Sequence, residues 1–249
     1  MKTLIYIVVF TLSFVAFPQN ENAFEEGKSH YKEANYEAAI NTWESILESG
    51  KHSAALYYNL GNAYFKSNEI APSIYYYEKA LNLAPGDSDI ENNLAIAQSQ
   101  TVDIIEPLPK NLISTWVENA ISAFSFDTWA WMSVFLVFVF AILFLIYFFS
   151  RRSSIKRIYF SGAFIVLFFA IVSLYIAFMS YNSFTNDRSG IIFATSTQVR
   201  SEPLNRSETS FVLHEGTKVE IIDEDDDWFR VQLADGKDGW VQKGDLKEL

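Results

Sequence analysis

Two uncharged apolar runs, residues 128–149 and 158–180, constrain this chain more than any other feature. About 20 apolar helical residues are needed to cross the hydrocarbon core of a bilayer, and each run meets that length. Neither shows the polar face of a helix on a soluble core. No Asp, Glu, Lys, Arg or His interrupts them, which argues against an ion pathway or proton relay. Residues 150–157, between them, hold Arg151, Arg152, Lys156 and Arg157. Short loops rich in Lys and Arg stay cytoplasmic, so these four residues set a hairpin with its tip inside and both flanking regions outside. Trp129, Trp131 and Tyr181 fall near the outer interface, where aromatic rings settle.

The start of the chain agrees with that orientation. Met1 and Lys2, followed by the apolar residues 3–17, have the plan of a signal peptide over residues 1–19. An uncleaved anchor is the alternative. Charge is distributed unevenly within the total of −11. Residues 21–127 are net −10, residues 181–249 net −6 and the intervening loop +4. Two acidic regions around one basic loop exclude nucleic acid, which needs a basic face. The absence of cysteine excludes disulfides, thiolate metal sites, a thiol nucleophile and a lipobox anchor.

Residues 20–101 repeat. One step of 34 residues carries Gly27 to Gly61, Ala39 to Ser73, Trp43 to Tyr77 and Ile46 to Ala80, and a third partial unit places Ala95 after Gly61. That is the period of the tetratricopeptide repeat (TPR), a pair of antiparallel helices. Tyr57, Leu60, Gly61, Tyr64, Ser73, Tyr77, Ala80 and Pro85 resemble its consensus closely. Small residues let paired helices approach, large ones fill between them, and Pro85-Gly86 ends the second helix. The first unit is looser, with His30 where an aromatic is usual and Lys51 in place of the proline. Asp87 or Ser88 can cap a last helix over residues 89–100. The resemblance implies a concave peptide-binding face made of Lys28, Tyr31, Lys32, Tyr58, Asn62, Phe65, Lys66, Asn92 and Ile96. Lys28 and Asn62 resemble part of a carboxylate clamp, but Ile96 stands where a polar or basic group would serve. In the run Tyr75-Tyr76-Tyr77 the helix turns three side chains in three directions, one into the core and others toward the surface.

Residues 102–127 join the repeats to the first apolar run. Glu106-Pro107-Leu108-Pro109 reads as extended linker. After it, Leu112, Ile113, Trp116, Val117, Ala120, Ile121 and Phe124 form one apolar helical stripe, which lies on the membrane surface or packs on the last repeat. From Gly190 the texture becomes β. Residues 191–195, 198–200, 211–213, 218–222, 228–233 and 239–241 read as strands, with turns at Asp235-Gly236 and at the acidic run 223–227. An EF-hand would need a mid-loop Gly and a terminal Glu that this run lacks. The ordered motifs Thr197-Gln198-Val199-Arg200-Ser201, Gly216-Thr217-Lys218-Val219, Trp228-Phe229-Arg230-Val231 and Gly239-Trp240-Val241 resemble bacterial SH3-like (SH3b) domains over residues 190–249. Trp228 and Trp240 are assigned to its core.

The fold class expected is therefore a multi-domain membrane protein: an α-helical TPR solenoid, a two-helix transmembrane hairpin and a small all-β SH3b barrel. No nucleophile elbow, HExxH, P-loop or dinucleotide fingerprint occurs, and His30, His52 and His214 lack ligand spacing. No enzymatic activity and no cofactor are expected. The order signal, TPR, two spans, SH3b, with Asp127-Thr128-Trp129-Ala130-Trp131 opening the first span, resembles the BatE family of the Bacteroides aerotolerance (Bat) operons. That resemblance implies a scaffold of the bacterial inner membrane with both soluble domains periplasmic. It would act in envelope or oxidative stress tolerance beside membrane proteins with von Willebrand factor A domains. The other reading is a peptidoglycan-binding anchor acting through the SH3b domain.

Overall fold

The computed structural model describes residues 18–109, 111–186 and 188–249. The expected signal segment lies outside them except for Pro18 and Gln19, which open the first helix. Five helices follow in antiparallel succession: α1 (Pro18–Lys32), α2 (Tyr36–Glu48), α3 (Ala54–Lys66), α4 (Ile70–Leu83) and α5 (Ser88–Gln98). Side-chain caps start three of them, since Asn35, Ser53 and Asp87 accept hydrogen bonds from first-turn amides. The repeat is geometric as well as textual. A Cβ on Gly27 would strike the Trp43 indole, and one on Gly61 would lie 2.6 Å from the Tyr77 ring. Ser73 donates to the Gly61 carbonyl at 2.9 Å across the second pair. Ala39, Trp43, Ser73, Tyr77 and Ala80 are all buried. Ala95, at the matching place of the third unit, is exposed, because the stack ends there.

After the cap, residues 102–109 are extended, as the prolines require, and they strap the barrel rather than hanging free. Ile105 packs on the barrel core, and the Leu108 amide donates to the Ala234 carbonyl at 3.0 Å. Helix α6 (Leu112–Ser122) then runs to the apolar pair. It packs on the second of those helices, and its stripe residues Leu112 and Trp116 stay about four-fifths exposed rather than covering the last repeat.

Helices α7 (Phe126–Phe149) and α8 (Ser153–Asn186) are long and apolar enough to cross a membrane. They form an antiparallel hairpin zipped by small residues. Ala163, Ala170 and Ala177, seven residues apart, are buried together with Ser173 and Ser180. Two hydroxyls cross the seam: Ser133 donates to the Ala170 carbonyl at 3.1 Å and Ser173 to the Trp129 carbonyl at 2.8 Å. The expected eight-residue basic loop is shorter than read. Only residues 150–152 separate the helices, and Lys156 and Arg157 belong to the first two turns of α8.

The chain ends in a seven-stranded antiparallel sheet: β1 (Ser189–Ile192), β2 (Ser196–Arg200), β3 (Thr209–His214), β4 (Lys218–Asp225), β5 (Trp228–Gln232), β6 (Asp238–Gln242) and β7 (Leu246–Glu248), in the order β3-β2-β6-β5-β4-β1-β7. Alternate residues Val199, Val219, Ile221, Val231 and Val241 face one core. Three details differ from the sequence reading. The first strand stops at Ile192, because the Phe193 amide turns to the Asp245 carbonyl. The acidic run is mostly strand: Asp223–Asp225 pair with Trp228–Arg230, and Asp226, at φ 43°, and Asp227 make the turn. Strand β7 went unread, being three residues long with two charges.

Candidate functional site: the groove and the seam that leaves it open

Helices α1, α3 and α5 carry the face that the repeat pattern makes concave. There Tyr31 of α1 and Tyr58 of α3 meet Tyr77, which is buried on α4. The Tyr58 and Tyr77 ring centroids are 6.0 Å apart, and Tyr31 leans on Trp43. Burial, followed by the neighbouring phenols Tyr36 and Tyr58, pushes the Tyr31 hydroxyl above its ordinary value, and burial likewise raises Tyr77. These phenols therefore remain neutral hydrogen-bonding groups at physiological pH.

One amide organises them. Asn62 Oδ1 accepts from the Tyr77 hydroxyl at 2.7 Å and from Asn93 Nδ2 at 3.0 Å. The same Asn93 nitrogen donates to the Tyr58 hydroxyl at 2.8 Å. Both lone pairs of Asn62 Oδ1 are thereby filled, which leaves its Nδ2 hydrogens as the groups it offers a ligand. A peptide carbonyl or carboxylate suits such a donor.

The remaining groove residues are dispersed around this cluster. Phe65 is half-buried against the helical core, while Lys32, Lys66 and Asn92 are exposed and Ile96 is half exposed. Lys28 pairs with Glu25 on its own helix at 2.8 Å. Asn93, rather than the neighbouring Asn92, makes the bonds between helices. Sequence reasoning passed over it, although a second asparagine one position along the cap helix was the available signal.

On the opposite, convex side the barrel docks on α4. Glu78, buried there, forms an ion pair with Lys218 at 2.7 Å. Tyr75 meets Phe193 edge-on at 5.7 Å beneath the Lys247 ammonium, 4.4 Å from the ring centroid. Tyr76 stacks on Tyr64, and both hydroxyls donate to Glu44. All three tyrosines of the run are thus buried, where the sequence reading left some at the surface. The barrel supplies the missing cover. Gly216 makes the close approach, with φ 85° and a missing Cβ that would lie 2.8 Å from Thr101 and 3.1 Å from Ile74.

Asp103 on the strap completes the seam. It accepts the His214 amide at 2.7 Å, the His214 Nδ1–H at 2.8 Å and the Thr217 hydroxyl at 2.6 Å. Burial raises its pKa, but hydrogen bonds from Thr217 and His214 outweigh burial and hold it below the ordinary carboxylate value. A carboxyl depressed in the docked state favours docking at every pH above its free value and loses that contribution as pH falls through the docked one. Protease sensitivity of the strap is therefore expected to rise below about pH 4. Asp103→Asn should be more sensitive at neutral pH and should lose that acid-dependent step.

Residues 54–87, which contain α3 and α4, match the model of the tetratricopeptide repeat, and residues 195–247 match the bacterial SH3 domain. The chain carries both modules. A search of curated proteins finds no match to this chain. The first module points to protein partners and the second to cell-wall material.

In the barrel, Trp228 is buried but lies at the end of β5, outside the central cluster. Trp240 is half-buried. Trp228 backs a cleft of about 500 Å³ whose rim is Glu202, Asp225, Asp226 and Asp227.

Proposed function

We propose that this chain is a non-catalytic, membrane-anchored scaffold whose groove on α1, α3 and α5 binds an extended segment of a partner protein. The observation that carries it is the side on which the barrel docks. The barrel covers α4 and leaves Tyr31, Tyr58 and the Asn62 amide, each partly exposed, on the other face. Membrane insertion is supported by the apolar hairpin and by the exposed stripe of α6, whose Trp116 suits a headgroup layer. Docking of the barrel on the helical array supports one shared side of the membrane for both, since the hairpin enters and leaves at the same face. With Arg151, Arg152, Lys156 and Arg157 at the far end, that side is the periplasm of a bacterial inner membrane. The Bat-type assembly implied by the resemblance, with von Willebrand factor A-domain membrane proteins, is the partner set that fits this arrangement.

The test is tagged copurification in mild detergent. Ile96→Glu and Tyr58→Ala should each lower partner recovery at least about tenfold, as loss of a central groove contact does. Circular dichroism should match the parent. Full recovery with both variants would remove the groove from the proposal. The acidic cleft beside Trp228 favours a second reading, in which the barrel holds an amine-bearing wall peptide. Sedimentation with purified cell wall, lost in Asp226→Lys, would support that one instead.

A further inference from the structure

The helical array, barrel, α6 and hairpin meet around a cavity of about 580 Å³. Its lining carries basic side chains: Lys79, Lys218 and His52 face it beside Leu249, and among the described residues no aspartate or glutamate side chain lines it, in a chain of net charge −11. Lys218 is held by Glu78. Lys79 has no carboxylate partner among the described residues. Its ammonium bonds the Tyr75 hydroxyl at 3.3 Å and sits 5.5 Å from the Tyr57 ring centroid. Ser125, Ser180 and other hydroxyls line the wall opposite, at the ends of α7 and α8 nearest the soluble domains.

A second cavity, of about 390 Å³, adjoins the first. Ile121 and Ser183 line both. Its other walls include Tyr175, Phe178 and Met179, one to two turns deeper along α8. A lysine-bearing, hydroxyl-lined chamber at headgroup level thus continues into an apolar one at acyl-chain level. We propose that this pair of cavities binds one anionic membrane phospholipid, its phosphate beside Lys79 and an acyl chain against Tyr175, Phe178 and Met179. The inference rests on the membrane reading above. The site would tie both soluble modules to the bilayer through one ligand.

The test is native mass spectrometry of the full chain in nonionic detergent, titrated with phosphatidylglycerol, phosphatidylcholine of the same chains, or inorganic phosphate. One phosphatidylglycerol per chain should be retained in clear preference to phosphatidylcholine. Lys79→Gln should weaken that retention about fivefold, as removal of one lysine at a lipid headgroup does, and Lys79→Arg should restore it. Ile121→Trp, which fills the junction of the chambers, should abolish retention of both lipids. Equal retention by Lys79→Gln and the parent, or no preference between the lipids, would overturn the proposal. Displacement by millimolar phosphate would assign the upper chamber to a free anion and overturn the lipid. Alkaline carbonate extraction of membranes separates the two readings. Release by carbonate sinks the membrane reading and this inference with it. Retention in the membrane without lipid preference sinks this inference alone.

Discussion

Trp43→Ala is expected to unfold the first helical pair. The indole is fully buried and fills the space above Gly27, and its Nε1 donates to the Phe24 carbonyl at 3.2 Å. Truncating a buried aromatic of this size costs about 3–5 kcal/mol, because the lost transfer energy is joined by the cavity left behind. Gly27 cannot fill that space, and among the described residues α2 is the helix that α1 chiefly packs on, as in a repeat array whose units contact their neighbours. Hydrogen exchange should show amides of α1 and α2 losing protection while those of β5 and β6 keep theirs. Collective loss across the barrel would mean that the array and barrel fold as one unit. The replacement Trp43→Phe keeps most of the volume and should recover most of the protection.

Lys218→Met is expected to loosen the barrel from α4. The Glu78 side chain is only 7% exposed and Lys218 is its ion-pair partner at 2.7 Å. Removing one partner leaves a carboxylate in a site built for a pair. A fully buried pair broken this way costs about 3–5 kcal/mol, and the half-exposed lysine brings the expectation down to about 2 kcal/mol. That amounts to roughly a 30-fold rise in the undocked population. Exchange at the α4 face and in β1 should accelerate accordingly. Adding Glu78→Leu should restore much of the docking, because two apolar groups then meet where one charge was stranded. No recovery in the double variant would show that Tyr75, Phe193 and Gly216 carry the seam without help from the pair.

Legibility followed the range of the interactions. The 34-residue step was readable because Gly27 and Gly61 each face one large ring sixteen residues on, a local relation that sequence spacing preserves. The strands of the barrel were readable where side chains alternate, as in Phe229-Arg230-Val231, and not at Leu246-Lys247-Glu248. That last strand exists because Gly190 and Ile191 present it an edge. Of the groove residues expected from the repeat pattern, Tyr58 and Asn62 join the hydrogen-bonded cluster. Asn93 was missed because its role depends on the twist between α3 and α5, which sets which face of the cap helix meets Asn62.

By itself the sequence determined the kinds of elements and their order. Helical pairs, apolar helices and short alternating strands each follow from periodicity and from the cost of an unsatisfied backbone. Only the tertiary structure decided what covers what. Glu78 with Lys218, Asp103 with His214 and Tyr75 with Phe193 join residues more than a hundred positions apart. No period or local propensity encodes such pairings, because they depend on where the hairpin returns the chain. That return sets the barrel against the convex side of the helices and leaves the concave side open. It also closes a lysine-bearing cavity at the end of the hairpin, from residues that read singly as ordinary helix and loop positions.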